Sequence, residues 1–136
     1  IAREEMVFRI DPVPGTKTYA RAVTARNGLI YGLAGEKYYV FDPKARAVTF
    51  VGDLPVKALR FPHLHREPVG PNGLIVGLGD DAVYCIDPAD NTTRILARHP
   101  SIGAPGKRGA HGFFVTEDGV LYYGSEATLM RVKLPL

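Results

Sequence analysis

Two histidines keep one distance from a following glycine. His65 stands eight residues before Gly73, and His111 stands eight before Gly119. Arg60, His63 and Arg66 lie near the first, and Lys107 and Arg108 near the second. Side chains of this kind suit a planar anion, because a guanidinium matches a carboxylate or sulfate with two parallel hydrogen bonds. Imidazole adds proton transfer near neutral pH, or metal ligation. The ligand-binding set expected from these residues is His63, His65, His111, Arg60, Lys107 and Arg108. A metal centre needs three or four convergent ligands, and the spacing specifies no such set. No metal, cofactor or catalytic residue is therefore assigned. A plainer reading stands beside the functional one: both histidines bond loop carbonyls of their neighbours.

Other residues that could do chemistry lack the context for it. Ser101 and Ser125 occupy no nucleophile elbow. The loop from Ser101 to Gly109 contains Gly and Lys without the spacing of a phosphate-binding loop, and no helix follows it. Glu36, Asp80 and Asp81 fall in hairpin turns, where a solvated role is ordinary. The one cysteine, Cys85, lies in an apolar run and reads as a buried, inert thiol.

These residues must be held by a frame, and the frame repeats. Asn27-Gly28-Leu29-Ile30-Tyr31-Gly32-Leu33 returns as Asn72-Gly73-Leu74-Ile75-Val76-Gly77-Leu78, then more loosely as Asp118-Gly119-Val120-Leu121-Tyr122-Tyr123-Gly124. Val40-Phe41-Asp42-Pro43 returns as Cys85-Ile86-Asp87-Pro88, then as Arg131-Val132-Lys133-Leu134. The step is 45 to 46 residues. Short apolar runs bounded by Gly, Pro, Asn and Asp are strands and turns. A period of this size with several strands per unit marks a β-propeller blade.

The spacing predicts an all-β chain of about three antiparallel four-stranded blades. Units run over about 6–26 (partial), 19–55, 64–100 and 110–136 (truncated). Inner strands are expected over Tyr19–Ala25, near Leu64–Val69 and over His111–Thr116. Pro68 and Pro71 weaken the middle one, since proline cannot donate to a ladder. The Asn-Gly and Asp-Gly pairs predict turns with both central residues at positive φ. The runs Tyr38–Phe41 and Val83–Ile86 are apolar on both faces, as for strands sandwiched between neighbours. The two histidines then occupy equivalent places at the starts of inner strands, around one axis.

The His111-Gly112 pair, the strand Phe113-Phe114-Val115, the turn Asp118-Gly119 and the strand Val120-Leu121-Tyr122-Tyr123 together resemble a widespread blade consensus. So do Phe41-Asp42-Pro43 and Ile86-Asp87-Pro88. The pattern is similar to that of the NHL, gluconolactonase-like and virginiamycin B lyase-like propellers. The resemblance implies a propeller fold over roughly Met6 to Leu136. It does not carry over the acidic metal ligands of the gluconolactonase-like enzymes, which find no match here.

About three blades cannot close a ring, since propellers have four to eight. The chain thus closes only with missing sequence or with a partner. The partner expected is a second copy completing a six-bladed ring, with the leading strand Met6–Pro12 of one copy filling the short last blade of the other. A start at Ile1 rather than methionine fits a piece of a longer protein.

The chain has 136 residues, is 46% hydrophobic and 23% charged, and has a net charge of +3. That composition supports a core and argues against a dedicated nucleic-acid binder, which clusters its basic charge. No segment is apolar for long enough to read as a membrane-spanning helix. Two functions from different classes follow. One is a non-catalytic domain that binds a ligand or partner or serves as scaffold, with an anionic small molecule or acidic saccharide as ligand. The other is part of a propeller lyase or hydrolase acting on an anionic sugar or lactone-like substrate.

Overall fold

The computed structural model describes residues 11–57, 63–79, 82–98, 113–125 and 128–136. Among these residues there is no helix. Eleven strands form three antiparallel sheets. Sheet 1 holds β1 (Tyr19–Thr24), β2 (Ile30–Ala34), β3 (Lys37–Asp42) and β4 (Ala47–Asp53) in sequence order. Sheet 2 holds β5 (His63–Leu64), β6 (Ile75–Leu78), β7 (Ala82–Asp87) and β8 (Thr92–Arg98), again in order. Sheet 3 holds β9 (Phe113–Val115), β10 (Val120–Ser125) and β11 (Thr128–Lys133). Of the leading strand expected over Met6–Pro12, residues 6–10 lie outside the described residues, and Asp11 and Pro12 belong to no strand.

Cross-strand pairing places the repeat in register. Gly32 pairs with Tyr39, and Gly77 pairs with Tyr84. A Cβ at either glycine would overlap the ring of its tyrosine. The recurring glycine is thus the seat of a phenol from the next strand. Sheet 3 inverts this arrangement: Tyr123 takes the glycine's place and faces Met130 across the ladder. Gly124 has nothing near it, so the looser third repeat conceals a one-residue offset of its glycine.

Alternation sorts side chains onto the two faces of each sheet, because successive residues of a strand point opposite ways. Val23, Tyr31, Leu33, Tyr38 and Val40 of sheet 1 meet Leu64, Ile75, Tyr84 and Ile86 of sheet 2 in one core cluster. Val76, Leu78, Val83 and Cys85, on the other face of sheet 2, meet Val115, Leu121 and Tyr123 of sheet 3 in the second. Sheet 2 is therefore the middle layer, and Ala82 to Ile86 of β7 are all buried. The double-sided burial expected of both apolar runs is realised only here. In β3, Tyr38 and Val40 are buried, while Tyr39 and Phe41 are half-buried. Sheet 1 is an end layer, so its far face has no neighbour among the described residues.

Turn chemistry departs from the expectation in a definite way. Gly28, Gly73 and Gly119 take positive φ in the hairpins that open each unit, at 84°, 63° and 81°, joined in the second by Gly70 at 72°. Asn27, Asn72 and Asp118 do not. The amides of the three glycines donate to the carbonyls of Ala25, Gly70 and Thr116. Each is a turn closed by one left-handed glycine, a combination common in three- and four-residue hairpin loops. Among the described residues, Arg46 and Asn91, at matching places after Asp42 and Asp87, are the two non-glycine residues with positive φ, at 55° and 59°.

The sheets draw together along their first strands. β1 lies beside β5. Arg26, Pro71 and Glu117 hold matching places in the three opening turns, and they touch. Arg26 donates to the Pro71 carbonyl at 3.1 Å and lies 3.5 Å from the Glu117 carboxylate. Contact between matching residues of all three sheets means that the layers converge at this end of their inner edge.

Candidate functional site

The inner strands carry the two nominated histidines that fall among the described residues. His65 follows β5, and its amide donates to the Val76 carbonyl at 2.7 Å. The ring points between sheets 2 and 3 and is only 5% exposed. Its centroid lies 5.8 Å from that of Phe113 and 5.6 Å from that of Phe114. Nδ1 sits 2.9 Å from the Glu67 carbonyl. A carbonyl only accepts, so Nδ1 carries a proton and donates. Among the described residues no hydrogen-bond partner reaches Nε2. The plainer reading expected a bond to a loop carbonyl of a neighbour; the bond formed here is to a carbonyl of the histidine's own loop, two residues on.

His63 is different. It is exposed, and Arg21 of β1 is near enough to act on it. Partial burial, and then the Arg21 charge, hold its imidazole below the usual pKa of 6.5, so it is neutral at pH 7. Arg66, on the bend after β5, makes an exposed ion pair with Glu67 at 3.7 Å. Exposed pairs of this kind are worth little and yield readily to a better anion. Arg60, Lys107, Arg108 and His111 lie outside the described residues.

Register revises the kinship of the histidines. Tyr31, Val76 and Tyr122 each stand three residues after the turn glycine. Their partners on the inner strand are Val23, His65 and Phe114. His65 therefore corresponds to Val23 and Phe114. Its greater distance from the turn has a physical cause. After His65 the ladder breaks over Arg66, Glu67 and Pro68, then resumes at the single bridge of Val69 with Leu74. Gly70 adds one more residue to the loop, with φ of 72°. Pro68, which cannot donate to the ladder after β5, thus lies in the stretch that shifts the count.

Sequence reasoning overlooked Arg21. Its signal is indirect: a register shift between Ala20 and Ala22 leaves Arg21 as the extra residue of β1. Such bulges re-aim a side chain at the edge of a sheet. Among the described residues, no group of three His, Cys, Asp or Glu side chains is placed to hold a metal ion. Tyr84 is buried under sheet 1, its hydroxyl has no hydrogen-bond partner among the described residues, and burial pushes its ionisation up.

No protein-family model and no curated protein matches this chain.

Proposed function

We propose that the chain is a non-catalytic β-propeller-type domain that binds an anionic ligand, an acidic saccharide by chemistry, where β1 meets β5. The observation that supports this reading best is the juxtaposition of Arg21 with His63 on neighbouring inner strands. Arg21 supplies a permanent charge and a planar fork, and His63 supplies a donor once it is protonated. Arg66 stands at the next bend, exposed. His65 supports a non-catalytic reading for its own part. Its ring is packed against two phenylalanines and its proton is committed to a backbone carbonyl, so it is suited to hold sheets apart rather than to turn over substrate.

Calorimetric titration with an oligogalacturonate and with a neutral oligosaccharide of equal length tests the reading. The acidic oligomer is expected to bind and the neutral one not. Affinity should rise as pH falls from 7.5 towards 5.5. The direction follows from linkage: a bound carboxylate favours the imidazolium of His63, whose free-state pKa is depressed, so proton uptake accompanies binding. Arg21→Ala should weaken binding about tenfold or more, the worth of a hydrogen bond between charged groups. Equal binding of both oligomers, or indifference to Arg21→Ala and His63→Ala, would sink the proposal.

A further inference from the structure

The strand that ends in Asp42 in sheet 1 and in Asp87 in sheet 2 ends in Lys133 in sheet 3. Register makes the three equivalent, because Ile30–Phe41, Ile75–Ile86 and Leu121–Val132 are the matching pairs just before them. Asp42 turns the chain back: its carboxylate accepts the amides of Lys44 at 2.8 Å and Ala45 at 3.2 Å. Asp87 does the same for Ala89 at 2.9 Å. A proline follows each, and proline has no amide to donate. Sheet 3 replaces both residues. Lys133 cannot accept; its ammonium donates to the Asp118 carbonyl and lies 3.5 Å from the Asp118 carboxylate. Leu134 has the amide that proline lacks, and gives it to the Gly119 carbonyl at 2.8 Å. After β11 the chain is therefore drawn along the Thr116–Gly119 turn instead of reversing at once.

What it reaches is sheet 2. Leu134 is 3% exposed inside the cluster shared by sheets 2 and 3, and Leu136 packs against that cluster. The Leu136 side chain lies over two left-handed glycines, one from the opening turn of each sheet. A Cβ at Gly70 would come within 3.0 Å of it, and one at Gly119 within 2.7 Å. One leucine thus plugs the seam between the two turns. Between the leucines, the Pro135 carbonyl accepts a hydrogen bond from Arg94 of β8 at 3.2 Å. Three residues touch both sheets, with apolar contact at each end and a guanidinium tie in the middle.

We infer that Leu134-Pro135-Leu136 is a clasp that governs a local opening of the molecule, in which sheet 3 lifts off sheet 2 while sheets 1 and 2 stay joined. The two core clusters share no residue, so one seam can part without the other. The seams are also fastened differently. Across the first, Asn91 of sheet 2 accepts a hydrogen bond from the Tyr31 hydroxyl at 2.7 Å. Across the second, the Arg94 bond goes to the clasp itself. The exposed Arg26–Glu117 contact would part with sheet 3 at small cost. Proteins open in such cooperative units, at free energies below that of global unfolding. This opening uncovers Cys85 and withdraws Phe113 and Phe114 from His65. The clasp does not depend on the anion site at β1 and β5.

Native labelling with Ellman's reagent tests it on the intact protein, since Cys85 reacts each time sheet 3 lifts. Leu136→Ala should speed native labelling about tenfold, in keeping with the loss of part of a leucine's burial. Leu136→Met fills the same seat and should keep the wild-type rate. Asn91→Ala loosens the seam of sheets 1 and 2, so it should lower the urea midpoint and leave the labelling rate unchanged. A wild-type rate in Leu136→Ala overturns the inference, and so does a rise as large in Leu136→Met. An equal rise in Asn91→Ala also overturns it, because the thiol is then reached only when the whole structure unfolds. Should Leu136→Ala lose its fold, Leu136→Val takes its place: a smaller rise in the same direction is expected, and no rise overturns the clasp.

Discussion

A glycine and a tyrosine explain one another across each of the first two sheets. Tyr84 lies on Gly77 and is buried under sheet 1, whereas Tyr39 lies on Gly32 and is half-buried on the far face. The same substitution should thus cost different amounts. Gly77→Ala must displace a ring with nowhere to go and should destabilise the fold by about 2–3 kcal/mol, in the range of overpacked cores. Gly32→Ala should cost clearly less, because the Tyr39 ring can swing outward. Urea unfolding of the two variants measures the difference, and equal losses would contradict the assignment of the two faces. The glycine repeat was plain in the sequence, but its reason was not. Period alone cannot say which strand's tyrosine occupies the space above a glycine. His65 shows a related limit. Its residue type suggested chemistry, while its surroundings made it a packed counterpart of Val23 and Phe114.

At the scale of elements, the hairpins were legible because Asp42-Pro43, Asp87-Pro88 and the three turn glycines punctuate the chain. The alignment of the inner strands was not legible. Arg66, Glu67 and Pro68 stand where sheet 1 has Thr24 alone, and Gly70 is added beyond them, so His65 is three residues farther from its turn glycine than Val23 or Phe114, and an equal count to that glycine does not give an equal place in register. The turn after β7 also does more than reverse the chain. The Asn91 side chain accepts a hydrogen bond from the Tyr31 hydroxyl at 2.7 Å, and its carbonyl accepts one from Tyr38 at 2.5 Å. It thereby ties sheet 2 to two buried tyrosines of sheet 1. Burial holds the Tyr38 phenol up to about 12, so this tie persists through ordinary alkaline conditions. Asn91→Ala removes the side-chain acceptor and leaves a residue with a Cβ at φ 59°. A loss of about 1–3 kcal/mol is expected, read by denaturant unfolding. Asn91→Gly, which relieves the backbone but not the lost bond, should recover part of it.

The described residues form a three-layer stack whose middle sheet is covered twice. That coverage follows from a repeat in which each unit has two apolar faces, so one sheet alone cannot bury itself. The chain's one thiol lies at the centre of the arrangement. Cys85 points from sheet 2 into the cluster shared with sheet 3, and burial pushes its ionisation up. Ellman's reagent applied to the native protein therefore tests the stack most directly. A thiol covered by sheet 3 should react only through opening of the structure, roughly a thousandfold or more slower than in urea, in keeping with the small open fraction of a folded domain. Labelling of native Cys85 at a rate near that of the unfolded chain would contradict the layered account.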